Sequence, residues 1–343
     1  MTGPSLADVG EDGLVAAVLA RYPSPPAWVR VPAGDDAAVL DLPGAGVVVC
    51  TDTLVEGQDF HRRWSSGRDV GVKTAVQSLV DVAAMGGRPR ALLVSLAAPA
   101  DLPASWAEDL ADGLAAECAR AGAVMVGGDV SAAAQVVLTG TAIGTMDGLP
   151  PVGRGGARPG DAVALAGTAG RSAAGLALLR AGHPPPGPEP ADPAITALIG
   201  DHLRPHPPYP AGPAAAAAGA TAMIDTSDGL LRDTARVAAA SGVVIDLDPA
   251  ALRPDGHLAA AASLLGADPM DWILPGGEDH ALLACFPPGT ALPAGFRRIG
   301  EVLPATPDED RAAGLVLVDG ARWSGQEGWA HFGPSGDSTR FSG

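Results

Sequence analysis

Five stretches of the chain set aspartate beside glycine, serine or threonine, or just ahead of a glycine pair. They are Gly34-Asp35-Asp36, Thr51-Asp52-Thr53, Asp81 in SLVDVAAMGG, Gly127-Gly128-Asp129 and Asp225-Thr226-Ser227-Asp228-Gly229. Magnesium prefers hard oxygen ligands and is usually held by carboxylates together with substrate phosphates. Aspartate suits this, because its short side chain is held firmly by the backbone. Taken singly, each stretch also reads as local structure, since Asp-Gly is a common turn and Ser-Asp before a helix a common cap. Five in one chain, all at the edges of expected elements, point to a site that holds several metals against phosphate.

Lys73, Gln77 and Asp81 are spaced by four and share one face of an expected helix, beside an apolar face of Val72, Val76, Leu79 and Ala83. Two readings stay open: Asp81 reaches metal while Lys73 meets phosphate or an acid, or the face is solvated. Other phosphoryl-transfer templates are missing. There is no G-x-x-x-x-G-K-[ST] loop and no H-R-D or D-F-G set. No G-x-S-x-G elbow appears, and the seven histidines show no zinc spacing. Gly153–Gly160 is glycine-rich; its Arg154 suits a phosphate through a planar fork, and the segment equally suits a flexible interdomain turn.

The elements that must position these residues alternate. Helices are expected over 11–21, 69–85, 103–121, 172–181, 228–241 and near 256–266. Strands are expected over 37–42, 47–55, 90–98, 123–126, 136–145, 162–166, up to 224, and over 243–247, 281–286, 297–303 and 315–318. The turn-rich segment 147–160 marks the expected boundary between two domains, 1–148 and 149–343. With 343 residues the chain has room for both. A net charge of −17 disfavours nucleic acid as main partner, because phosphates are neutralised by Lys and Arg. No apolar run approaches membrane-spanning length, the N-terminus lacks a signal pattern, and three scattered cysteines suit a reducing compartment. A cytoplasmic protein is expected.

The runs GDDAAVL (34–40), TDTLVEG (51–57), VDVAAMGGRP (80–89), GGD (127–129), GARPGD (156–161), MIDTSDGLLRD (223–233), GGEDHALL (276–283) and GWAHF (328–332) resemble, in this order, the thiamine-monophosphate kinase family. That family shares its fold with aminoimidazole ribonucleotide synthetase. The resemblance implies an α/β (α+β) two-domain fold, with N-terminal domains pairing through a shared β-barrel in a homodimer. It implies transfer of the ATP γ-phosphoryl group to thiamine monophosphate, with Asp228, Asp52 and Asp129 at the centre of catalysis. It implies several Mg²⁺ ions held by Asp35, Thr51, Asp52, Asp81, Asp129, Asp225 and Asp228. Nucleotide contacts would come from Gly128, Asp129, Arg154 and Ser227, and acceptor contacts from Asp59, Glu278 and Trp329. The chain departs from the family pattern at Cys50, Asp59, Ser78 and Val80.

A phosphate acceptor with a second pKa near 6 is largely anionic at neutral pH and needs no general base. Repulsion between the two anions is then the obstacle, and the aspartates serve as anchors for cations. Two alternatives remain: another ATP-dependent enzyme of the same superfamily, and a non-catalytic sensor of nucleotide or thiamine phosphate.

Overall fold

The computed structural model describes residues 17–18, 20–26, 28–31, 39–40, 46–187, 192–307 and 312–329. Asp35, the expected strand over 37–42 apart from its two central residues, most of the expected helix over 11–21 and the chain after Trp329 lie outside them. The chain divides into two compact units, one drawn from the residues up to Val82 and from Arg88–Gly148, the other from Ala83–Gly87 and from Leu149 onward.

In the first unit, β1 (Val29–Val31) and β2 (Val39–Leu40) form an antiparallel pair. A four-stranded sheet carries the chemistry. Its strands are β3 (Val47–Val55), β4 (Arg88–Ala98), β5 (Val124–Ala132) and β6 (Val137–Thr145), in the order β3-β6-β4-β5. Helix α1 (Gly67–Ala84) precedes β4, and α2 (Ala104–Ala121) is the crossover that makes β4 and β5 parallel. A reciprocal cap starts α1: the Asp69 carboxylate accepts from the Ser66 N–H at 2.8 Å, and the Asp69 N–H donates to Ser66 Oγ at 3.2 Å. Gly67 and Gly71 let α1 run close to α2, since a Cβ at either would strike the α2 backbone.

The second unit holds a seven-stranded sheet. Its strands are β7 (Ala162–Ala166), β8 (Ala222–Asp225), β9 (Val244–Leu247), β10 (Leu282–Phe286), β11 (Phe296–Leu303), β12 (Val316–Val318) and β13 (Ala321–Arg322), in the order β13-β12-β9-β11-β7-β10-β8. All its pairings are antiparallel except β12 with β9. The helices are α3 (Arg171–Arg180), α4 (Pro193–Leu203), α5 (Ala211–Ala217), α6 (Leu230–Ser241), α7 (Gly256–Leu265) and α8 (Met270–Ile273). Strands β7 and β10 lie inside the sheet, are buried along nearly their whole length and read as continuous apolar runs, while β8, also buried, is the edge strand and ends in Asp225.

The sequence pattern places most elements within a few residues. It leaves α4 unnamed, because a proline-rich stretch hides the Asp192 cap and the Pro193 start that open it. It also ends β5 too early. The strand continues through Gly127-Gly128-Asp129, so that motif, like Thr51-Asp52-Thr53 within β3 and Asp81 within α1, lies inside an element and not at its edge.

Candidate functional site

Strand alternation sorts the TDT segment. Cys50, Asp52 and Leu54 share one face of β3, while Val47, Val49, Thr51 and Thr53 take the exposed face. Helix α1 lies over the first face. Gly140, the partner of Asp52 on β6, could not carry a Cβ without striking Ser78 Oγ of α1. Asp81, one turn further along α1, therefore meets Asp52: ligand atoms of Cys50, Asp52 and Asp81 all lie within 4.8 Å of one another. The Cys50 thiol donates to the Ser78 carbonyl at 3.0 Å. A soft thiol is a poor magnesium ligand, so the hard donors of this cluster are the two carboxylates. Adjacent like charges of this kind fit a divalent cation.

The solvated reading of the Lys73 face is overturned. Lys73 is only 3% exposed, and its Nζ donates to the Asp59 carbonyl at 3.4 Å. Gln77 Oε1, between Lys73 and Asp81, is buried with no hydrogen-bond partner among the described residues. Asp59 closes its own turn: its carboxylate accepts from the Val55 N–H at 2.8 Å, and its N–H donates to the Val55 carbonyl.

Other expected ligands of this unit stand apart. The Thr51 hydroxyl faces away from Asp52, donating to the Gly140 carbonyl at 2.9 Å and lying 3.2 Å from Thr141 Oγ1. In the sheet, Asp52 aligns with Gly140, Val94 and Gly128, whereas Asp129 aligns with Ser95, Thr139 and Thr53. Asp129 thus points from the opposite face of β5, three strand spacings or about 14 Å across.

In the second unit, two loops interlock. Asp225 ends β8, and the Thr226–Gly229 turn leads into α6. The segment Gly276–Ala281 runs back over that turn. Glu278 N–H donates to the Ser227 carbonyl at 2.9 Å, and His280 N–H to the Thr226 carbonyl at 3.2 Å. Gly277 is required, because a Cβ there would strike the Ser227 carbonyl oxygen.

Three consecutive buried ionisable groups then find three different partners. Glu278 Oε2 lies 3.5 Å from His202 Nδ1, which is also 3.1 Å from Ser172 Oγ. The Asp279 carboxylate accepts the backbone N–H groups of Gly170, Arg171 and Ser172 at the start of α3. His280 Nδ1 lies 3.1 Å from Asp225 Oδ2.

Asp228 is bound by Arg236 at 2.6 Å, with Arg232 Nε at 3.9 Å. Arg236 also holds Asp233, whose carboxylate accepts the Asp228 N–H at 2.9 Å. Burial, then the charge of Asp225, pushes Asp233 up to about 7. Arg232 and Arg236 also line a cleft of about 570 Å³ with Arg322, Trp323 and Glu327. Trp329 N–H donates to the Asp228 carbonyl at 2.9 Å, so the two meet through backbone. Arg154 is exposed, and its carbonyl accepts from Ser241 Oγ at 3.0 Å.

Sequence reasoning passed over His280, Asp233 and Arg236. A histidine directly after Glu278-Asp279 and an acid within one helical turn of an arginine were the available signals.

Two family models match the chain: AIR synthase related protein, N-terminal domain, over residues 34–146, and its C-terminal domain over residues 158–279. A thiamine-monophosphate kinase of Mycobacterium tuberculosis (strain CDC 1551 / Oshkosh) is 46% identical over 331 residues, 96% of this chain and 94% of that protein. That of Corynebacterium glutamicum is 41% identical over 96% of each. The solved structure of AaThiL complexed with AMPPCP and TMP is similar with a TM-score of 0.75 at 31% identity, over 96% of this chain and 99% of that one.

Proposed function

The chain belongs to the thiamine-monophosphate kinase family, and on that premise we infer how its own residues carry the family's reaction. It is a thiamine-phosphate kinase, transferring the γ-phosphoryl group of ATP to thiamine monophosphate to give thiamine diphosphate. The near full-length identity to curated kinases of this activity carries the conclusion. ADP release dependent on thiamine monophosphate, with thiamine diphosphate identified as product, tests it. ADP formation indifferent to the acceptor would overturn it.

Transfer between two phosphates is mostly positioning and charge stabilisation. The acceptor oxygen is already anionic near neutral pH, so no side chain need remove a proton. Asp52 and Asp81 are the pair best suited to hold magnesium, being close together and hard. Asp225 and Asp228 are the corresponding carboxylates of the second unit, with Asp228 already partly balanced by Arg236. Asp35, Thr51 and Asp129 are the other proposed magnesium ligands, of which Asp129, on the opposite face of the sheet, would hold an ion other than the one between Asp52 and Asp81. When bound, magnesium offsets the repulsion between the two polyanions and stabilises charge on the transferring group.

Gly128, Asp129, Arg154 and Ser227 are assigned to the nucleotide. Glu278 and Trp329 are assigned to the acceptor, whose thiazolium ring is both cationic and aromatic and so suits a carboxylate and an indole face. Asp59 serves the acceptor by fixing its loop, because its carboxylate is already held by Val55.

Residues 1–148 form the proposed ATP- and Mg²⁺-binding and dimerisation domain, and 149–343 the domain that completes the site. The dimer is supported by the exposed face of β3, where Val47 and Val49 are 58% and 63% accessible. Among the described residues no helix is long and apolar enough to cross a membrane. A cytoplasmic location accords with the cysteine usage.

A further inference from the structure

We infer that His280 is a positioning residue for Asp225, fixing which carboxylate oxygen Asp225 offers to metal. This rests on the proposed role of Asp225 as a magnesium ligand.

His280 is 1% exposed and Asp225 5% exposed. Nδ1 of the ring lies 3.1 Å from Asp225 Oδ2. An ionised carboxylate can only accept, so Nδ1 carries the hydrogen and the tautomer is set. The other ring nitrogen, Nε2, is buried with no hydrogen-bond partner among the described residues. The ring therefore has one polar task, and that task is Asp225. With Oδ2 engaged, Oδ1 is the oxygen left to face a cation.

The mounting of the ring is rigid. The β8–β10 ladder pairs Asp225 with Leu282, two residues beyond His280. Thr226 N–H donates to the Ala281 carbonyl at 2.8 Å, and the Ala281 N–H returns to Thr226 Oγ1 at 3.1 Å. His280 itself sits at φ 52 and Glu278 at φ 64, a region that side-chain-bearing residues seldom occupy. The neighbouring Asp279, anchored on three α3 amides, holds the segment there. Outer partners that orient a ligating side chain in this way tune metal affinity.

Manganese(II), titrated at equilibrium without nucleotide and followed by electron paramagnetic resonance, is the probe. An Asp52→Asn background breaks the Asp52–Asp81 pair, and comparison with Asp225→Asn in that same background isolates the part of the signal that depends on Asp225. His280→Leu should weaken manganese binding by about tenfold or more, the size expected for losing such a partner. In the otherwise native enzyme it should raise the magnesium concentration for half-activation while the KM for thiamine monophosphate stays put. His280→Asn should stay close to native, because its amide N–H falls near the Nδ1 position and asparagine tolerates positive φ. Where the leucine variant does not fold, His280→Gln, whose amide reaches past Asp225, should show the same weakening. Native-like manganese binding in the leucine or glutamine variant, with Asp225→Asn weakened, overturns the inference and leaves the metal reading intact. Unchanged binding in Asp225→Asn overturns both.

Discussion

Trp329 and Asp228 are joined main chain to main chain, the Trp329 amide donating to the Asp228 carbonyl at 2.9 Å. Gly328, just before Trp329, sits at φ 136, where a Cβ would crowd the Asp228 carbonyl and the Arg232 side chain. The indole is thus delivered to the DTSDG turn by backbone. Trp329→Ala should raise the KM for thiamine monophosphate by about tenfold, the worth of one good aromatic contact. The KM for ATP should change by less than about twofold. Equal effects on both would mark Trp329 as packing alone.

Asp52 and Asp81 hold like charges side by side on facing elements. Asp52→Asn should lower turnover about 1000-fold, as removal of a central electrostatic group does. The metal-free fold should keep or gain stability, because repulsion is relieved. Steady-state kinetics and thermal unfolding of the same preparation read both. Near-native turnover would remove Asp52 from the metal site.

Much of this was legible from residue order alone. The β-like run VVVCTDTLV carried the length of β3, and the spacing of Lys73, Gln77 and Asp81 gave their common side of α1. Burial of that side was not legible, because three polar residues in a row look solvated until the sheet beneath them is known. Asp129 was misplaced at an element edge for a related reason: a Gly-Gly pair reads as a break, yet here it is carried inside a strand. The partnership of His280 with Asp225 spans 55 positions and depends on β8–β10 register, which no local pattern encodes.

Gly277 separates the two interlocked loops of the second unit by the width of a hydrogen atom. A Cβ at this position would strike the Ser227 carbonyl and press on Asp228. Gly277→Ala should destabilise the protein by about 1–3 kcal/mol, the usual range for overpacking. It should also lower kcat more than the stability loss alone accounts for, since Glu278 and Ser227 shift together. Urea unfolding and kinetics below the transition separate the two effects. A fully stable, fully active variant would show that the loops have room to part.

Asp279 carries a pH signature. Burial raises its carboxyl to about 6, against the opposing pull of the Ser172, Gly170 and Arg171 amides and the neighbouring His280. In the unfolded chain the group titrates near 3.9. Between about pH 4 and 6 the folded protein therefore retains a proton that the unfolded chain has released, so this group's contribution to stability is full below pH 4 and falls as pH rises through that window. The loss is on the order of 2–3 kcal/mol for a shift of about two units. Asp279→Asn cannot titrate. Urea midpoints from pH 4 to pH 7 should show the native protein losing ground relative to the variant across the window, with no further change above it. A difference that is flat with pH, or that grows in favour of the native protein, would mean that the three amides and not burial govern this carboxylate.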